Sequence, residues 1–105
     1  MSPGKIASQA GHAYLHAFMA AQSLWPAQAA SYISDPPGTK VCLRGRLQAI
    51  LAAAEQAKAD GIPHFLVVDS GCPDFFDGQP TVTALGLGPA TKDQIQHLTR
   101  RFNTL

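Results

Sequence analysis

The chain has 105 residues, of which 46% are apolar and 14% charged, and its formal net charge is +1. That length allows one domain, residues 1–105, with a single modest core; the composition argues against disorder, and the near-neutral charge against a protein that coats nucleic acid. No apolar run reaches the roughly 20 residues a bilayer span needs, and no basic start followed by an apolar block marks a secretory leader. The two thiols, Cys42 and Cys72, lack metal-ligand spacing, so a reduced cytoplasmic chain is the expectation.

The first element expected is a helix opening at Ser2 and Pro3. Ser2 can cap it, and proline suits the first helical position because its missing N–H would be unpaired there. Ile6, Ala10, Ala13, Ala17, Ala21 and Leu24 form an apolar stripe at helical spacing, and Pro26 interrupts the run. A short helix over "AQAASYI" precedes the breaker "SDPPG". "TKVCLR" (39–44) reads as a strand, and residues 46–60 as a helix closed by Gly61. "HFLVVD" (64–69) is a continuous apolar run ending in an acid, the pattern of a strand buried on both faces of a parallel sheet. "PTVTALGLG" (80–88) is a third strand. Thr91 and Gln94 make a capping box for a last helix whose inward stripe is Ile95, Leu98 and Phe102. The order predicts an α/β fold, a three-layer sandwich of one small mixed sheet between helices.

Two features carry chemistry. Asp69 closes a strand, where ligands of α/β sheets gather; the same acid could equally cap the turn at Ser70 and Gly71. Lys5, Gln9, His12 and His16 recur at spacings of four, three and four on the first helix. A solvated polar face accounts for such a stripe as well. Lys5, however, sits in the first turn, where the helix dipole disfavours a cation, so it is poorly placed for stability alone. Arg44, Arg46, Arg100 and Arg101 are candidates for a local basic patch or for ordinary surface charge.

Four blocks, "MSPGKIASQAGHA", "GTKVCLR", "ADGIPHFLVVDSG" and "GQPTVTALGLGPATKDQIQHLTRRF", run in order along the whole chain. In them the sequence resembles the peptidyl-tRNA hydrolase 2 family, the class found in archaea and eukaryotes, and in particular its bacterial relatives. The resemblance implies hydrolysis of the ester between a peptide and the terminal ribose of a tRNA, with no metal or organic cofactor. By the same resemblance, the family's lysine, glutamine and histidine fall on Lys5, Gln9 and His12. Its strand-closing acid falls on Asp69, its threonine on Thr81 and a basic strand position on Arg44, preceded by Lys40. Lys40, Arg44, Arg100 and Arg101 would then hold the tRNA backbone.

Two departures from the family pattern stand out. An Arg-Thr-Gln tripeptide common in the family is replaced by Cys72, Pro73 and Asp74, which removes a hydroxyl assigned to the active site. Family members begin with an apolar strand just before the lysine helix, and this sequence opens within that junction, so three strands are expected, with either an exposed sheet edge or an unfilled slot. A start placed too late, a second chain filling the gap or a reduced form would each account for it, and a homodimer is the expectation that follows from the second. The runner-up is a non-catalytic member of the same fold that binds tRNA or a protein. A reactive thiol at Cys72 ranks last, because no neighbouring cation or helix start would lower its pKa.

Overall fold

The computed structural model describes residues 1–70 and 79–105; Cys72, Pro73 and Asp74 lie outside the described residues. Helix α1 (Pro3–Leu24) starts where the cap chemistry requires. The Ser2 hydroxyl accepts a hydrogen bond from the Lys5 amide at 3.3 Å, and Pro3 holds the first helical position. Pro26 cannot continue the α1 hydrogen-bond ladder, and it opens α2 (Pro26–Ile33). Strand β1 (Leu43–Arg44) leads into α3 (Leu47–Asp60), which ends at Gly61 with a left-handed φ of 70°. Strands β2 (His64–Asp69) and β3 (Thr81–Leu87) follow. In α4 (Lys92–Thr99) both halves of the Thr91–Gln94 capping box are made, and β4 (Asn103–Thr104) ends the chain's regular structure.

The α/β class holds, but the strands differ from expectation in number and pairing. Instead of one mixed sheet with three strands there are two antiparallel pairs among the described residues, β1 with β4 and β2 with β3. The parallel arrangement inferred from "HFLVVD" is corrected too: β2 pairs antiparallel with β3. Its run is apolar without being covered on both faces, since Phe65 and Val68 remain 39% and 53% exposed. Phe102 also falls outside the last helix, in the turn between α4 and β4.

Helix α1 lies across β2 and β3. Its buried line is Gln9, Ala13, Ala17 and Ala21, all small or polar, whereas Leu24 is exposed. Small side chains let the helix come close, and Gly86 on β3 lets it come closer. A Cβ at Gly86 would stand 2.9 Å from the Ala17 Cβ and 2.8 Å from the Ala13 carbonyl carbon. A second cluster forms behind, where Ala57, Ile62 and Leu98 are buried with Trp25, Leu87 and Ile95 against them. Gln28 ties α2 to α4 by donating to Gln94 Oε1 at 2.8 Å and to the Pro89 carbonyl at 3.1 Å.

Candidate active site

Helix α1 runs antiparallel to β2, a direction that two contacts establish. Gln9 bonds Asp69 at the end of the strand, and His16 stacks on Phe65 near its start, with ring centroids 4.6 Å apart. Seven helical residues span about 10 Å and four strand residues about 13 Å, so the two ladders match. Lys5 lies one turn before Gln9 on the same face, about 6 Å further along the axis. It therefore lies towards the carboxyl end of β2, within the first turn of α1. That turn holds no acidic residue, so the partial positive charge of the helix N-terminus adds to that of the lysine.

Gln9 is the centre of the arrangement. It is 5% exposed, and both ends of its amide are used. Nε2 donates to Asp69 Oδ2 at 3.2 Å, while Oε1 accepts from the Thr83 hydroxyl at 2.6 Å. The carboxylate can only accept, so it takes Nε2, and Oε1 is left facing the hydroxyl, which therefore donates; the carboxylate sets which way the amide points.

The threonine on Gln9 is Thr83, which sequence reasoning missed. Thr81 is the cross-strand partner of Asp69, and its own hydroxyl donates to the Gln79 carbonyl at 3.0 Å. The cause is a register shift: Val67 pairs with Ala84 and Val68 with Val82, leaving Thr83 opposite no residue. Such a bulge bends the strand and re-aims a side chain, here towards α1. The only trace in the sequence is the doublet Thr-Val-Thr, which does not say which hydroxyl is turned.

The other expected site residues are dispersed. His12 is exposed on α1, one turn after Gln9. Lys40 donates to the Pro37 and Gly38 carbonyls at 2.9 and 3.2 Å and lies 5.5 Å from the Tyr32 ring centroid. Arg44 is on β1, and Arg100 and Arg101 follow α4, all of them exposed. Among the described residues, no three His, Cys, Asp or Glu side chains are placed to hold a metal.

The family of proteins described as "Peptidyl-tRNA hydrolase PTH2" matches residues 1–105. The chain belongs to this family. It is 29% identical over 105 residues to a peptidyl-tRNA hydrolase of Methanococcus vannielii, covering all of this chain and 89% of that protein. It is 34% identical over 99 residues to that of Methanopyrus kandleri, covering 94% and 83% of the two chains. Over 97 residues it is 34% identical to a peptidyl-tRNA hydrolase of Halobacterium salinarum, covering 90% and 83%. A PTH2 chain of this length thus places a buried glutamine between a strand-end carboxylate and a bulged threonine.

Proposed function

We infer that this protein is a peptidyl-tRNA hydrolase, cleaving the ester between a peptide and the terminal ribose of a tRNA. Family membership supports the reaction. The observation that carries the site is the Gln9–Asp69 hydrogen bond at the strand end, beside the lysine-bearing first turn of α1. Asp69 orients a water and takes its proton as the water oxygen attacks the ester carbonyl carbon. Thr81, across from Asp69, is the hydroxyl through which the water can be held. Lys5 and the N-terminus of α1 stabilise the oxyanion that develops on the carbonyl oxygen. Gln9 holds the carboxylate, and Thr83 holds Gln9. When the C–O bond to the ribose breaks, the proton on Asp69 passes to the departing ribose oxygen. Free peptide and tRNA result, and the carboxylate is restored. His12, exposed one turn from Gln9, positions the substrate.

Lys40, Arg44, Arg100 and Arg101 hold the tRNA backbone through its phosphates, without reading bases. A cytoplasmic homodimer completes the reading. Translation supplies the substrate in the cytoplasm, and the exposed Leu15 and Met19, one turn apart on α1, support contact with a second copy. No helix among the described residues is long and apolar enough to cross a membrane.

The test is Asp69→Asn, assayed on an N-blocked aminoacyl-tRNA. The amide keeps an oxygen to accept from Gln9, so the fold survives while proton transfer is lost. Turnover should fall about 10²–10⁴-fold, with an unchanged circular-dichroism melt. An active Asn variant removes Asp69 from the mechanism. A wild-type protein that binds tRNA and never releases peptide makes the chain a binding module. A monodisperse monomer in solution scattering removes the dimer.

A further inference from the structure

All four arginines of the chain lie in two short segments, at Arg44 and Arg46 and at Arg100 and Arg101. The β1–β4 pairing joins these segments, setting Arg44 opposite Asn103. Arg44, Arg46 and Arg101 line one open cleft of about 500 Å³, together with Gly45, Ala49 and Phe102. Gly45 lets the Phe102 ring press against the backbone, since a Cβ there would stand 2.5 Å from Cε1 of the ring. The Arg101 guanidinium carbon stands 5.4 Å from the ring centroid, and its Nη2 donates to the Ala49 carbonyl at 3.4 Å. Among the described residues no carboxylate lies within 4.0 Å of any of the four arginines.

Like charges gathered with no acid beside them among the described residues repel one another, and of the arginines lining the cleft only Arg101 has a packing partner, the Phe102 ring and the Ala49 carbonyl. Arg46 occupies the N-cap position of α3 but makes no side-chain capping bond. The chain as a whole is nearly neutral, so the cluster is local rather than a share of general basicity. Guanidinium forks match the oxygens of a phosphate two at a time. An aromatic floor beside them suits the sugar or base of the same nucleotide.

The geometry points to this cleft as a seat for a phosphodiester of the RNA substrate, separate from the site at Gln9 and Asp69, with which it shares no lining residue. The inference rests on the tRNA reading above and sharpens it. Arg46 and Phe102 join Arg44 and Arg101 in one seat, whereas Lys40, held by the Pro37 and Gly38 carbonyls, lies outside it. An acidic protein segment would meet the same charge but gains little from an aromatic floor.

The experiment measures binding of deacylated tRNA by fluorescence anisotropy between 50 and 200 mM salt, for wild type, Arg46→Ala, Arg101→Ala, Arg101→Lys and Lys40→Ala. Each arginine-to-alanine change should weaken binding by roughly threefold to tenfold and lower the slope of log affinity against log salt by about 0.7–0.9. Arg101→Lys should recover the slope but not the full affinity, because the charge returns without the fork. Lys40→Ala should change the slope less than Arg46→Ala does. Melting curves accompany each variant, because a merely structural role would move the melt and leave the salt slope alone. Slopes unaltered in both alanine variants overturn the seat. Displacement of tRNA by polyglutamate at equal charge concentration overturns the assignment to RNA. Wild type that binds through the arginines but leaves the ester intact overturns the hydrolase reading and upholds the seat. Wild type that hydrolyses the ester, with arginine variants binding as wild type does, overturns the seat alone.

Discussion

Gln9 Nε2 lies 3.2 Å from Asp69 Oδ2, a bond between residues 60 positions apart that pins α1 to the end of β2. The far end of the same amide is held by Thr83, so a side chain on each of three elements depends on the other two. A buried amide with both ends satisfied is rigid, and losing one partner leaves a polar atom stranded.

Thr83→Val should therefore strand Gln9 Oε1 and cost about 1–3 kcal/mol of stability. It should also reduce turnover, because Asp69 loses the group that orients it. Thr83→Ser restores the hydroxyl and should recover most of both. Thr81→Val removes a hydroxyl bonded to the Gln79 carbonyl at the surface, so its melting temperature should fall less than that of Thr83→Val. Urea melts of the three variants check the ordering. Equal losses in Thr81→Val and Thr83→Val would mean that the bulged hydroxyl carries no special weight.

Gly86→Ala should disturb the site from a distance. The added methyl meets the Ala13 carbonyl group and the Ala17 Cβ, and backbone cannot step aside as a flexible side chain would. Overpacking of this kind costs about 1–3 kcal/mol. In a domain of this size each kcal/mol lowers the melting temperature by about 4–8 °C. Because α1 must lift to make room, Gln9 is drawn away from Asp69, and activity should fall along with stability. A variant with wild-type melt and activity would show that the helix does not depend on this close approach.

Acid stability should carry the mark of Asp60. Its carboxyl is held below the ordinary value of 3.8, first by the hydrogen bond with His97 at 2.8 Å and then by one from Gln56. The folded pKa lies below the unfolded one, so the contribution is present above about pH 4 and is lost as pH falls through the folded value. The stability difference between wild type and Asp60→Asn should be largest near neutral pH and should shrink steadily towards pH 2. Both partners are substantially exposed, so the difference should be small even at its largest. A gap in urea midpoints that widens on acidification would have the wrong sign.

How much the sequence revealed depends on the range of the forces involved. The Ser2 cap with Pro3, the Gly61 terminus of α3 and the Thr91–Gln94 box are all present where the residues indicate them. Each is decided by partners within four positions, so composition over a short window is sufficient. The apolar run of β2 gave the strand but misled about its surroundings. An unbroken run does not record whether both faces are covered, and here Val68 is open. The lysine, glutamine and strand-end acid were visible as residue types and as a family pattern. The bond between Gln9 and Asp69 was not, because it requires α1 to run antiparallel to β2 at short distance.

By itself the sequence determined where the capped helices begin, that the fold is of the α/β class, and which polar groups were on offer. Tertiary structure alone decided that Thr83 rather than Thr81 reaches Gln9, that the strands divide into two antiparallel pairs, and that three arginines share one cleft. The physical reason is the same in each case. Register, bulges and pairing between distant segments follow from how whole elements pack, and a shift of one residue changes the direction of a side chain while leaving local propensities as they were.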